Sequence, residues 1–368
     1  MSWLRDTLPA LEERYSGPTL IYRVDEAVER VRRMCALAPL TDARFLFSIK
    51  AFPDRAVLSS LVRAGLGLDA ANASELDAAA SLGERAGYVS VTGPSLGGIE
   101  PIFERLQGRG TVVVNVDSAA QYDSIGRRLP SWVGLGARIK LMPPTRDGRQ
   151  FVSRFGVSPD DVETLRQLAA DPRFVALHAH VGNEDNDRST YREMASALAR
   201  LVAELGPKVR IVNVGGGVHQ LSEAEVARLV AELRELLPRQ VSIVLEPGNF
   251  WFQGAGFALC RILSVRRQAD AWWVVTDLSR DCHLRWSDAR LLWPTPPGGS
   301  TERMLLSGPT CYEADLIGSF NIRRRDHDTE PQPGRFLVLS RVSSYAAAWN
   351  TSFNGIPKAE VMLLGVDG

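Results

Sequence analysis

Short, β-rich apolar segments alternate with stretches of helical composition through residue 246, and no other feature restricts the fold of this chain so strongly. The segments are residues 45–50, 66–69, 88–92, 111–116, 135–140, 174–180, 209–214 and 241–246, eight in all. Between them, residues 56–64, 74–82, 190–205 and 223–237 repeat apolar side chains at three- and four-residue steps, the period of a helix with one buried face. Near-continuous apolar strands imply a parallel sheet covered on its outside. Eight such units over roughly 200 residues suit a closed (β/α)8 barrel, which typically takes about 250 residues. An open, doubly wound Rossmann-like sheet is the alternative.

Beyond Gly256 the texture changes to strands without strong helical intervals, at 258–265, 271–276, 303–307 and 336–342. This reads as a mostly antiparallel β domain. The expected division is therefore α/β plus β, with a barrel over 25–255, a C-terminal antiparallel β domain over 256–368, and residues 1–24 packing on the latter. The Pro- and Gly-rich stretch 293–299 and the charged stretch 323–330 are read as loops within it.

At 368 residues the chain exceeds the size at which one hydrophobic core keeps growing, in keeping with two domains. Lys+Arg and Asp+Glu both number 43, which excludes the basic footprint of a nucleic-acid binder. Neither a signal-peptide pattern nor an apolar run of bilayer length is present, so a cytoplasmic protein with no membrane partner is expected. Cys35, Cys260, Cys282 and Cys311 form no CxxC pair, so neither a metal site nor a disulfide framework is expected.

In a barrel of this kind the reactive groups gather at the C-terminal ends of the strands. Here those ends carry Lys50, Asp69, Thr92, Asn115 with Asp117, Arg138, His180, Gly215-Gly216-Gly217 and Glu246. Each taken singly reads as the first solvated position after an apolar strand; together they put an amine, carboxylates, an imidazole and a glycine turn at one mouth. Three successive glycines let backbone N–H groups approach an anion such as a phosphate, and the dinucleotide fingerprint GxGxxG is absent. An amine emerging from an apolar strand at Lys50 is expected to be partly desolvated, an environment that favours Schiff-base chemistry with an aldehyde. Glu246 is placed to hydrogen-bond a pyridine nitrogen and keep it protonated, the arrangement that lets such a ring accept electrons from Cα of an amino acid. His180 suits stacking on a ring, although it and His178, on the same side of the strand, read equally as packed core histidines.

The ordered motifs Lys50-Ala51-Phe52-Pro53, Asp69 with Glu75, Ser153-Arg154-Phe155-Gly156, His180-Val181-Gly182-Asn183, Gly215-Gly216-Gly217, Glu246-Pro247-Gly248, Gly308-Pro309-Thr310-Cys311 and Phe353-Asn354-Gly355 span nearly the whole chain. In this order they resemble the alanine-racemase-fold, pyridoxal-phosphate-dependent decarboxylases of ornithine, arginine, diaminopimelate and carboxynorspermidine. Gly217-Val218-His219, Asp277-Leu278-Ser279, His283-Leu284 and the stretch from Cys311 to Gly318 are most similar to the carboxynorspermidine branch.

The resemblance implies pyridoxal 5′-phosphate held by Lys50 as an internal aldimine, with His180 stacked on its ring and Glu246 paired with its nitrogen. It implies phosphate contacts from Gly215, Gly216 and Gly217 with Asn183, Gly248, Asn249 and Tyr345, and ordering roles for Asp69 and Arg138. Cys311 would return a proton to Cα after carbon dioxide leaves, reaching into the neighbouring subunit of a homodimer with shared active sites. Substrate contacts would fall on Asp277, His283, Tyr312, Glu313 and Asn354, with either Glu313 or Asp277 meeting a distal amine. Asn249 stands where many relatives have an arginine, and Asn183 where a serine is frequent, so the phosphate cradle rests mainly on neutral groups. The expected function is decarboxylation of a small-molecule amino acid with a cationic side chain or terminus. A racemase on the same fold and a non-catalytic cofactor-binding protein are the rivals.

Overall fold

The computed structural model describes residues 2–37, 42–143, 152–182, 187–268, 270–293, 298–325 and 330–366. It divides into two units: one is Ala27–Trp251, and the other joins the residues up to Glu26 with Phe252–Val366.

In the first unit, eight strands pair in parallel in sequence order: β2 (Ala43–Ser48), β3 (Gly67–Ala70), β4 (Tyr88–Val91), β5 (Thr111–Val116), β6 (Gly134–Arg138), β7 (Phe174–His178), β8 (Ile211–Asn213) and β9 (Ser242–Leu245). β9 pairs back onto β2 through Ala43↔Ile243, Arg44↔Val244 and Phe45↔Leu245, which closes the barrel and removes the open Rossmann-like alternative. The four expected helices form as Arg55–Arg63, Ala73–Ala80, Arg188–Leu205 and Glu223–Leu236. Each begins where a polar side chain accepts the otherwise orphaned N–H groups of the first turn. Asp54, Asn72, Asp187 and Ser222 do this, the last in a reciprocal capping box with Glu225.

The barrel interior is layered by the two-residue period of its strands. Leu46, Tyr88, Val113, Ala176 and Val244 pack into one buried cluster, with Ile211 against it. Gly67 and Gly136 complete this layer because larger residues do not fit. A Cβ on Gly67 would lie 2.4 Å from Leu46 Cδ2, and one on Gly136 would lie 2.1 Å from Asn115 Oδ1. Two residues further along each of the eight strands, on the same face, stand Ser48, Asp69, Ser90, Asn115, Arg138, His178, Asn213 and Glu246. All but Arg138 are buried.

The second unit is a sheet ordered β12-β15-β10-β11-β13-β14, with β1 and β16 joined to it through β10. These strands are β1 (Thr19–Arg23), β10 (Gly256–Gln268), β11 (Ala271–Thr276), β12 (Arg290–Leu292), β13 (Ser300–Ser307), β14 (Leu316–Arg324), β15 (Phe336–Ser340) and β16 (Glu360–Leu364). The expected antiparallel arrangement holds for most pairs, but β11 with β13 and β1 with β16 are parallel. Leu11, Ile21, Phe257, Leu259 and Val338 form its core beneath the helix Ser2–Glu13, and Trp3 meets Phe257 edge to face at 4.8 Å. Among the described residues no helix is long and apolar enough to cross a membrane.

The tight fit at Gly67 makes a specific demand. Gly67→Ala should destabilise the protein by about 1–3 kcal/mol through overpacking, read as a lower urea midpoint with little change in slope. An unchanged midpoint would show that the barrel interior yields at this point.

Candidate active site

The polar layer is a connected set of side chains rather than eight separate ones. Glu246 lies just past the end of β9 with its carboxylate buried inside the barrel. Its Oε2 is 3.1 Å from His178 Nε2 on β7. Its Oε1 accepts from Asn213 Nδ2 on β8. Burial alone would raise its pKa, but the His178 ring and these hydrogen bonds reverse that and hold it down at about 2. Burial lowers the pKa of His178. The ring faces the ionised carboxylate with Nε2, the geometry of an Nε2–H donated to Glu246. The His178 Nδ1, buried without a hydrogen-bond partner among the described residues, fits that tautomer.

Lys50 and Glu246 open onto the same mouth. Lys50 sits in the one-turn helix Ile49–Ala51 that follows β2, its Nζ 3.7 Å from Asp69 Oδ2. That carboxylate oxygen also accepts from Ser48 Oγ at 2.9 Å, and Ser48 Oγ lies 3.2 Å from the backbone oxygen of Glu246. Burial, followed by the charge of Glu246, pushes Asp69 up to about 7 despite the opposing pull of Lys50 and Ser48. Asp69 Oδ1 has no hydrogen-bond partner among the described residues. Arg138 is stacked on Phe155 at 4.7 Å, and Arg154 covers the same ring at 4.2 Å. Burial lowers the Arg138 pKa, while Glu246, Asp117 and Asp69 oppose the shift. Asn115 binds Thr92 at 2.8 Å and Ser90 at 3.2 Å, so both expected polar residues of β4 and β5 belong to the same network.

The glycine turn is pressed onto this centre. Glu246 N–H donates to Gly215 O at 2.9 Å, and a Cβ on Gly216 would lie 2.6 Å from the backbone oxygen of Glu246. Gly215 and Gly217 have φ of 71° and 86°, a conformation that disfavours other residues. Tyr191 Oη donates to Gly216 O at 2.6 Å from the covering helix. Gly215 N–H is already given to Asn213 Oδ1 at 2.9 Å, so among the three glycines it shapes the turn, and Gly216 and Gly217 carry the amides suited to an anion. His180 is half-buried, with Nδ1 accepting Gly182 N–H at 3.2 Å. Burial first, then Lys50 and Arg138, pushes its pKa down to about 3, so the ring is neutral. Gly248 and Asn249 enter the short helical turn after Glu246. Asn183 lies outside the described residues.

In the sheet unit, the loop after β13 exposes Cys311, Tyr312 and Glu313. Asp315 fastens this loop from beneath: its carboxylate accepts from Thr310 Oγ1 at 2.7 Å, Arg280 N–H at 2.7 Å and Ser279 Oγ at 3.0 Å. Asp277 has both oxygens engaged, one by Tyr15 Oη at 2.6 Å and one by Arg261 N–H at 2.9 Å. His283 is buried, with Nδ1 accepting Ser279 N–H at 3.1 Å and Nε2 at 2.9 Å from the carbonyl of Pro357. Tyr345, on the short helix Ser344–Ala348, packs edge to face on Trp286 at 5.0 Å, and Asn354 is exposed with φ of 56°.

Sequence reasoning did not single out Ser48, Ser90 or Asn213, and left His178 as a packed histidine. The available signal was parity: each lies an even number of residues from a polar strand-end residue already chosen, Lys50, Thr92, Gly215 and His180 respectively.

Residues 24–253 match the family model described as the pyridoxal-dependent decarboxylase, pyridoxal binding domain. Over its whole length the chain is 26% identical to the diaminopimelate decarboxylase of Deinococcus radiodurans, covering 95% of that protein. Its fold is similar to that of lysine/ornithine decarboxylase from Vibrio vulnificus, solved with cadaverine, at a TM-score of 0.79 and 23% identity over 99% of both chains. It is also similar to that of carboxynorspermidine decarboxylase from Campylobacter jejuni, solved with norspermidine, at 0.75 and 19% over 95% of this chain and 94% of that one.

The elevated Asp69 pKa has a measurable consequence. The folded chain keeps this proton up to about pH 7, whereas an unfolded one releases it near 3.8. The buried carboxyl thus costs the fold progressively more as pH rises through that window. In cofactor-free protein, the stability of Asp69→Asn relative to wild type should grow by on the order of 1–4 kcal/mol from about pH 4 to about pH 7, then level off. A difference that urea unfolding finds independent of pH contradicts this.

Proposed function

Because the chain belongs to the pyridoxal-dependent decarboxylase family, amino-acid decarboxylases that use pyridoxal 5′-phosphate, we propose that it removes the α-carboxylate from an amino acid carrying a second, distal amine. A diamino acid or a carboxylated polyamine fits this description. The curated relative is a diaminopimelate decarboxylase, and the fold neighbours were solved with diamines or a polyamine. The observation that carries the reading is the buried, ionised Glu246 sharing one barrel mouth with Lys50.

The residues present fit the cofactor. An ionised Glu246 and an unpartnered Asp69 Oδ1 form a buried acidic pocket suited to a protonated ring nitrogen. Lys50 supplies the amine, and the Gly216–Gly217 turn supplies neutral donors in place of the arginine replaced by Asn249. When bound, pyridoxal phosphate supplies a carbonyl that condenses with amines and a protonated ring that withdraws electrons from Cα.

Lys50 would hold the cofactor and must shed a proton to do so; Asp69, at 3.7 Å and with a pKa near 7, is the group beside it able to accept that proton. Glu246 would stabilise positive charge on the ring nitrogen. His180, neutral, would cover a ring face without competing for that charge. Arg138, packed on Phe155, would keep the mouth electrostatically balanced against Asp69, Asp117 and Glu246. Cys311 would return the proton to Cα, and Glu313 would meet the distal amine, since Asp277 and His283 are committed to contacts within the sheet unit. Tyr312, Tyr345 and Asn354 complete the proposed contacts. The exposure of Cys311, Tyr312 and Glu313 in a single chain supports a homodimer with shared sites. Four free cysteines suit a reducing compartment such as the cytoplasm.

A screen of diamino acids and carboxylated polyamines for carbon dioxide release by protein reconstituted with pyridoxal phosphate tests the reaction. Inversion at Cα without carbon dioxide would point to the racemase instead. Lys50→Ala should abolish both the visible absorbance of the bound cofactor and turnover. Cys311→Ala should lower kcat by roughly 10²–10⁴ with KM little changed, the loss expected of a proton-transfer group. Glu313→Gln should raise KM roughly tenfold or more for a substrate with a distal amine and leave cofactor binding intact; an unchanged KM would remove Glu313 from the substrate site.

A further inference from the structure

Two buried side chains grip Glu246 without a part in the chemistry just described. His178 faces Oε2 at 3.1 Å and Asn213 faces Oε1. Asn213 also turns its other end to the glycine turn, where Gly215 N–H donates to Oδ1 at 2.9 Å. One amide thus spans from the acid that would meet the ring nitrogen to the turn that would meet the phosphate. Both side chains are 1% exposed, so neither bond is exchangeable with water.

We propose that His178 and Asn213 are positioning residues, a clamp of hydrogen-bond donors that fixes Glu246 as an aimed carboxylate, and that Asn213 sets the separation between this acid and the phosphate-binding turn. The inference rests on the reading of Glu246 and the glycines given above. Two donors from neighbouring strands hold both carboxylate oxygens, so the group keeps one orientation inside the barrel. The geometry requires the His178 ring to donate from Nε2, and its bare Nδ1 agrees. The other titratable groups facing this centre are Asp69 from β3, Tyr88 from β4, Arg138 from β6 and His180 beyond β7, with Lys50 reaching it through Asp69.

The test uses full-length protein stripped of cofactor and titrated with pyridoxal phosphate or with pyridoxal, which lacks the phosphate. His178→Phe should weaken both ligands by a similar factor of roughly ten, the loss of one hydrogen bond to a buried charge. It should also move the acid-side transition of the visible band upward by about one pH unit. His178→Gln, which restores an amide donor, should recover most of both effects. Asn213→Ala should weaken pyridoxal phosphate more than pyridoxal, because it loosens both ends of the site.

A wild-type protein that develops no visible band refutes the underlying cofactor reading. A wild type that binds, with His178→Phe unaltered in affinity and band, refutes the clamp alone. Thermal melting of the stripped proteins identifies a variant that does not fold. Should His178→Phe be one, equal losses for the two ligands in Asn213→Ala, or unchanged affinity for both of them in that variant, overturn the proposal.

Discussion

A charge that water cannot reach governs the barrel mouth. Removing a carboxylate from water costs several kcal/mol unless other groups replace its solvation. For Glu246 those groups are His178 and Asn213, contributed by two different strands. The neighbouring groups respond first to their own burial and then to this charge. Asp69 shares the same pocket and retains its proton to about pH 7. Arg138 is drawn toward two buried acids and keeps its charge despite partial desolvation. The glycine turn is held against the Glu246 backbone by Gly215 and has no room for a side chain at Gly216.

The barrel makes such a concentration of polar groups possible at modest cost. Each strand supplies one apolar residue to a packed layer and one polar residue to the layer above it. Below, Leu46, Tyr88, Val113, Ala176 and Val244 fill the interior, with glycines at 67 and 136 where a side chain would collide. Above, polar side chains drawn from strands that are distant in sequence become mutual hydrogen-bond partners. His178 and Asn213 meet Glu246 in this way, and Ser48 meets Asp69 across neighbouring strands. The rigid packed layer fixes the positions from which the polar layer works.

Much of this was legible in the sequence, for physical reasons. Eight apolar segments with helical intervals specify a barrel, and the residues ending them give Lys50, Asp69, Glu246 and the glycines directly. What the sequence conceals is the facing of small polar residues inside apolar strands. Ser48, Ser90 and Asn213 look like tolerated interruptions until one inward residue fixes the parity. The partners of Asp277 and His283 are equally hidden, because Tyr15 and Pro357 lie 262 and 74 residues away. β14 went unread because it lies at the edge of the sheet and only Ile322 of its nine residues is fully buried, which leaves a weak apolar signal. The two parallel pairs of the sheet have no local signature at all.

The sheet unit is interrupted in sequence by the entire barrel. β1, near the start, pairs with β10 through Thr19↔Leu259 and with β16 through Thr19↔Glu360. During synthesis this strand emerges some 240 residues before its first partner, a delay of roughly 10–50 s at ordinary translation rates. Through that interval Thr19–Arg23, four-fifths of it buried in the finished molecule, has unpaired edges on both sides. The barrel, continuous in the chain, can complete itself first, while the earliest strand to leave the ribosome must await the last. The sheet unit is therefore the later of the two to close, and Thr19–Arg23 is the segment that waits longest for its partners.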